Sequence, residues 1–244
     1  MEIPPELITF LRSCVHAAAL TGAGVSKESG LRTFRDPMDG LWAEYRPEDL
    51  ATPEAFERTP ELVWEFYAAR RLKAGEVQPN PGHLALVEME RHVPHFTLVT
   101  QNVDGLHRRA GSKCVVELHG NITRVKCSHG CGVFTEWEEI SGKAPTCPAC
   151  GEKLRPDVVW FGEILPGDEL ATAVQAARTC SIFFSIGTSG LVQPAASLPF
   201  LAKQNGAMIV EVNTEETPLT PSVDYFFQGK SGEILPELVK AAWG

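Results

Sequence analysis

The strongest constraint on this chain is a recurrence of short apolar segments. A buried strand is expected around Ala17–Thr21, and "HFTLVTQ", "CVVELHG", "SIFFSIGTS", "AMIVEVNTE" and "DYFFQGKSG" follow it. Most are rich in Val, Ile or Phe and end in polar residues or glycine. Helical stretches such as "PGHLALVEMERH" and "GDELATAVQAAR" lie between several of them, and the chain opens on a helix from Glu6. Strands alternating with helices predict an α/β fold with a parallel, Rossmann-like sheet. Ligands of such sheets gather at the carboxyl ends of the strands, where the tails "GAGVS", "TQNVD", "ELHG", "GTS" and "VNTE" fall.

Two stretches break the alternation. Asp36 to Gly82 is rich in aromatics, proline and charge, and Asn121 to Asp157 holds a cysteine cluster with little helical periodicity. They divide the chain into a large domain (1–36, 83–120 and 158–244) and an inserted small domain with a helical module (37–82) and a metal module (121–157). Within the first insertion, "TPELVWEFYAARRLKAG" reads as a helix. Thr59 is its expected cap, Pro60 its first turn and Gly75 its C-terminal end, and Tyr67 and Arg70 share a face. With 244 residues, 43% of them hydrophobic, the chain can bury a sizeable core without disulfides. A net charge of −9 argues against duplex nucleic acid as the main partner. The lack of a long apolar run or a charged leader argues against a membrane segment. A cytoplasmic protein is expected, with a monomer favoured.

Cys127 and Cys131 in "CSHGC", and Cys147 and Cys150 in "CPAC", form two close pairs about fifteen residues apart, the spacing of a zinc ribbon. Four thiolates make a closed tetrahedral shell, so the expected zinc is structural. Disulfides, a redox pair at Cys147/Cys150, or His129 in place of one thiolate are the alternatives. Cys14, Cys114 and Cys180 are expected to be inert core thiols.

"LTGAGVSKESG" resembles the entry to a dinucleotide site, with Gly22 and Gly24 letting the backbone approach a pyrophosphate and Ser26 donating to an oxygen. Lys27 stands where a third glycine is usual. The acidic strand end expected about twenty residues later is missing, since "DGLWAEYRPEDLA" does not read as a strand. A ribose is therefore assigned to "VNTE", Val212–Glu215. Gln101, Asn102 and Asp104 offer amides and a carboxylate suited to a carboxamide, and His119 offers a base near neutral pH. Taken singly, each also reads as an ordinary turn or a structural histidine.

In this order, "GAGVSKESG", "TFRD", "TQNVDGLH", "ELHG", the double cysteine pair, "VVWFGE", "GTS", "VNTE" and "GKSGEILPEL" resemble the sirtuin family of NAD-dependent protein deacylases. The resemblance runs from Leu20 to Leu238. It implies NAD consumed as a co-substrate, one structural zinc, and acyl-lysine proteins or peptides as partners. By resemblance, Gly22, Ala23, Gly24, Ser26, Phe34 and Arg35 line the cofactor, and Gln101, Asn102, Val103 and Asp104 surround the nicotinamide. Gly187, Thr188 and Ser189 meet phosphate or ribose, Asn213 and Glu215 the adenosine ribose, and Ser231 the adenine. The implied chemistry begins when the acyl oxygen attacks the anomeric carbon and nicotinamide leaves, with Asn102 in the catalytic set. His119 then deprotonates a ribose hydroxyl, which attacks the imidate carbon, and water finishes the reaction, giving O-acyl-ADP-ribose and free lysine. Val159, Phe161, Gly162 and Glu163 are assigned to the peptide, the last three as an extended edge.

Tyr67 and Arg70 resemble the pair of sirtuins that remove succinyl, malonyl and glutaryl groups, with small Ala51 widening the pocket. Arg32 departs from the proline many members carry there. Protein mono-ADP-ribosylation, a non-catalytic zinc/NAD sensor and a hydride-transferring dehydrogenase are the competing functions.

Overall fold

The computed structural model describes residues 2–32, 45–138 and 142–244, without the side chains of Pro47 and Glu48. Among these residues, six strands form one sheet. They are β1 (His16–Thr21), β2 (His95–Thr100), β3 (Val115–Glu117), β7 (Ile182–Ile186), β8 (Met208–Asn213) and β9 (Tyr225–Gln228), in the order β3-β2-β1-β7-β8-β9. Every neighbouring pair is parallel. All six expected segments are strands of this sheet. Counted along the sheet alone, the order is 3-2-1-4-5-6, that of a dinucleotide-binding sheet, and it reverses between β1 and β7.

The strands are apolar on both faces because both faces are covered. On one, Ala17, Ala19, Phe184, Ile186, Val210 and Val212 pack with helices α1 (Pro5–Ser13), α6 (Pro81–His92) and α10 (Ser231–Trp243). On the other, Ala18, Leu20, Phe183 and Ile209 pack with α8 (Gly167–Thr179) and α9 (Leu198–Gln204). The alternation along each strand is the period of two that a pleated strand imposes. No helix among the described residues is long and apolar enough to cross a membrane.

The two interrupting stretches contribute to one separate core. Helices α4 (Pro53–Arg58) and α5 (Pro60–Glu76) bury Phe56, Val63, Trp64, Phe66 and Tyr67 against Val125, Cys127, Leu154 and Val158. The latter belong to a three-stranded antiparallel sheet of β4 (Gly120–Cys127), β5 (Val133–Phe134) and β6 (Leu154–Val158), in the order β5-β4-β6. Short α3 (Pro47–Leu50) precedes them, while α2 (Ala23–Lys27) and α7 (Leu106–Ala110) follow β1 and β2.

Helix α5 begins and ends close to where expected. Thr59 holds its N-cap position, but the Thr59 hydroxyl donates back to the Ala55 carbonyl and closes α4 in place of capping α5. Gly75 lies in the last turn, and the helix ends one residue beyond it at Glu76. The end is capped from outside, where the Arg109 guanidinium of α7 donates to the carbonyls of Ala74 and Val77.

Candidate active site

The carboxyl ends of β1 and β7, Thr21 and Ile186, are register partners at the reversal of the sheet. The loops beyond them are knitted together by Gly22 N donating to Ile186 O (3.0 Å) and Gly24 N to Gly187 O (2.9 Å). A Cβ on Gly22 or Gly24 would stand 2.7 Å from Gly187 O, and one on Gly187 would stand 2.7 Å from Val25 N. Gly187 also has φ +57°, a conformation that side chains disfavour. These glycines therefore let two backbone loops close on each other, a different reason from the pyrophosphate approach expected of Gly22 and Gly24. Lys27 is accommodated because α2 is one short turn whose last residue points to solvent.

The polar tails of β1, β2, β7 and β8 meet in one network. Ser26 Oγ donates to Asp104 Oδ2 (2.6 Å), and Asn102 Nδ2 donates to Ser26 Oγ (3.1 Å) and to Gly22 O (3.0 Å). Gln101 Nε2 donates to Thr188 Oγ1 (2.8 Å), and Asn213 Nδ2 to Thr188 O (2.8 Å). Ala23, Val103 and Ser189 lie half-buried in the same loops. Burial pushes the Asp104 carboxyl above its ordinary range, although Ser26 and the Leu106 amide favour its anion.

The network has a foundation that sequence reasoning missed. Buried Thr21 donates to Thr100 Oγ1, which also accepts from the Asn102 amide, and His107 Nε2 bonds Thr21 Oγ1 at 2.9 Å. His107 ends the motif "TQNVDGLH", and only its sequence neighbours were given roles.

His119 is half-buried just past β3, with Nδ1 3.0 Å from the Gln101 carbonyl. A carbonyl only accepts, so Nδ1 carries the proton and Nε2 keeps its lone pair. Burial lowers the imidazole below its usual range, which favours the neutral base. The next residue, Gly120, has φ +78°, and a Cβ there would stand 2.1 Å from Asp157 O. That approach seats β4 on β6, and Val159 N donates to His119 O across the junction (2.9 Å). Buried Glu117 clamps the same junction through Arg124, Arg108 and Asn121, with Asp157 as Arg124's second partner.

On the other side stand the residues assigned to the acyl group and the peptide. Ala51 and Tyr67 are buried, and Arg70 brings its guanidinium within electrostatic reach of Tyr67 and Asp104. Burial pushes the Tyr67 phenol up to about 12, so it stays protonated. Phe161–Glu163 departs from the extended edge expected of it. Glu163 N donates to Trp160 O, making a turn through Phe161 and Gly162, and Phe161 N is taken by Ala51 O. The turn is set by the Glu163 carboxylate, which accepts from Trp160 N and from Arg155.

Other assigned residues lie at the rim or beyond it. Ser231 Oγ donates to Glu28 Oε1 (2.8 Å), a carboxylate that also accepts from Gly232 N. Glu215 lies exposed after β8. Phe34 and Arg35 lie outside the described residues.

The sulfurs of Cys127, Cys131, Cys147 and Cys150 all lie within 4.8 Å of one another, with Cys127 and Cys150 3.5 Å apart. Tetrahedral zinc at about 2.3 Å from each sulfur separates them by about 3.8 Å, so this all-thiolate set fits a closed zinc site. All seven cysteines are free thiols, so no disulfide competes. His129 offers its backbone N–H to Cys127 Sγ while its ring faces Glu152, so it replaces no thiolate. Cys14 and Cys180 are buried as expected, but Cys114 is exposed, because it sits on the turn that Glu90 ties to α6.

The Sir2 family model matches residues 22–194. A Pyrococcus furiosus protein named NAD-dependent protein deacylase is 51% identical over 242 residues, which are 96% of each chain. An Aquifex aeolicus protein of the same name is 53% identical over 229 residues, 92% of this chain and 94% of its own. The crystal structure of a Sir2 homologue in complex with NAD has a TM-score of 0.93 and 46% identity, covering 99% of this chain and 94% of the other.

Proposed function

The chain belongs to the Sir2 family, and on that premise we propose that it is an NAD-dependent protein-lysine deacylase. The residues present suit NAD. Hydroxyls, amides and one carboxylate converge at the sheet reversal, a donor set matched to sugar hydroxyls and a carboxamide. NAD supplies an electrophilic anomeric carbon and is consumed, leaving nicotinamide and O-acyl-ADP-ribose. Asn102 and Asp104 hold the carboxamide end, and Thr188 and Asn213 the sugar-phosphate side. His119 accepts a ribose proton at Nε2. The observation that carries this reading is that nitrogen, left basic by the bond from Nδ1 to Gln101 O.

The acyl class we propose is acidic, with acetyl also removed. Tyr67 and Arg70 lie one turn apart on α5, and a guanidinium grips a terminal carboxylate through two parallel bonds. Asp104 faces the same guanidinium and balances its charge before an acyl group enters. The peptide runs past Val159 and the Phe161–Glu163 turn.

One panel tests both levels. Peptides identical except for acetyl, malonyl, succinyl or glutaryl on lysine are incubated with NAD and zinc-loaded protein, and the products are weighed. Nicotinamide and O-acyl-ADP-ribose are expected, and ADP-ribose left on protein in their place would overturn the deacylase reading. Arg70→Met is expected to lower the succinyl-to-acetyl ratio of kcat/KM by on the order of 2–5 kcal/mol, about 30-fold or more. An unchanged ratio would remove the carboxylate clamp and leave the deacylase intact.

A further inference from the structure

Tyr67 is buried, yet its phenol oxygen has a defined partner. Trp160 Nε1, 93 residues away in sequence, lies 3.0 Å from it. An indole N–H only donates, so in this bond the phenol oxygen accepts. Conjugation holds a phenolic O–H in the ring plane, where it has two orientations. The Trp160 N–H occupies one side, so the Tyr67 proton turns to the other.

The indole has little freedom to turn away. Trp160 is 2% exposed, and the Arg155 guanidinium lies over its ring, 3.3 Å from the centroid. The Phe56 ring packs 5.4 Å from it. Arg155 is itself held by both carboxylate oxygens of Glu163, at 2.6 and 2.8 Å, and one of those oxygens also accepts from Trp160 N. The turn assigned to the peptide and the helix assigned to the acyl group are thus joined through one indole.

We propose that Trp160 is a positioning residue for acyl selection: by donating to Tyr67 it orients the phenolic proton towards the carboxylate of an acidic acyl chain. This rests on the reading of Tyr67 and Arg70 as a carboxylate clamp. Trp160, almost wholly buried, acts through Tyr67. Its effect falls on the binding of a charged acyl tail and leaves the proton chemistry at His119 alone.

The test is a double-mutant cycle on the full, zinc-loaded chain, with succinyl- and acetyl-lysine peptides and NAD. Trp160→Phe keeps a ring beneath Arg155 but removes the N–H. The succinyl-to-acetyl ratio of kcat/KM is expected to fall about 3- to 10-fold, the range of one hydrogen bond, with the change in KM for the succinyl peptide. Added to Tyr67→Phe, it is expected to cause no further fall in the ratio, because the phenol it orients is gone. A second variant replaces residue 160 with the tryptophan isostere that has sulfur in place of N–H, which preserves the packing, and the same fall is expected. The proposal is overturned if the ratio holds in the isostere variant, or if the two losses multiply in the double variant. Wild-type protein that ignores succinyl-lysine would overturn the clamp reading and this proposal together. A wild type that prefers it, with Trp160 variants of unchanged ratio, would overturn this proposal alone.

Discussion

His119 shows how one hydrogen bond can decide a residue's chemistry. Its Nδ1 proton is committed to a backbone carbonyl that no side-chain substitution removes, so Nε2 keeps the lone pair that the proposed base role needs. Burial is the larger influence on its titration and pulls it below the ordinary 6.5, while the Gln101 carbonyl pulls the other way. The sign follows directly. In the proposed role the neutral form is the active one, so deacylation is expected to rise with pH through a midpoint below 6.5. Rates of deacylated-peptide formation with a saturating acetyl-lysine peptide between pH 5 and 8 check this, and a midpoint above 6.5 would remove His119 from the base role. His119 was legible in the sequence as a candidate base because a histidine after a strand carries its chemistry in its residue type. Trp160 and His107 were not. What they do depends on a phenol 93 residues away and a threonine 86 residues away, and no local pattern announces either.

The same contrast governs whole elements. Strands and helices of the sheet were legible because their periods are local and both sheet faces are apolar. Element ends were less so wherever a distant group supplied the stop. At the end of helix α5, Arg109, more than thirty residues on, satisfies the carbonyls of Ala74 and Val77. Phe161–Glu163 turns because Glu163 is drawn back to Arg155 and Trp160 N. Glycines in different elements therefore carry opposite expectations. Gly75 is helical with nothing within 4 Å of a built Cβ, so Gly75→Ala is expected to stabilise the protein by about 0.5–1 kcal/mol. Gly24→Ala would drive a methyl to 2.7 Å from Gly187 O, and since that atom is backbone the loops at the sheet reversal must part. A loss of about 1–3 kcal/mol is expected, with a raised KM for NAD. Urea melts of both variants check the pair, and a Gly24→Ala protein as stable as wild type would refute the interlock.

At the scale of the molecule, the apolar interior is divided. Two clusters flank the six-stranded sheet, and a third is built by α4, α5 and the three-stranded sheet. Cys127 and Cys147, two of the four thiolates, are buried in that third cluster beside Trp64 and Leu154. Metal is thus coupled to the packing that positions Tyr67 and Trp160, while the sheet reversal and its glycines are held by contacts of their own. A structural zinc site supplies folding free energy, so removing the ion is expected to loosen the third cluster first. Trp64, Trp137 and Trp160 all belong to or pack against it, so their fluorescence reports its state. Chelation at neutral pH is expected to shift tryptophan emission to the red and abolish deacylation, with most far-ultraviolet helix and strand signal retained. Added zinc should restore both losses. If the far-ultraviolet signal instead collapsed together with the fluorescence, the clusters would form one cooperative unit. The division at residues 37–82 and 121–157 would then describe connectivity in the chain and not independence in its stability.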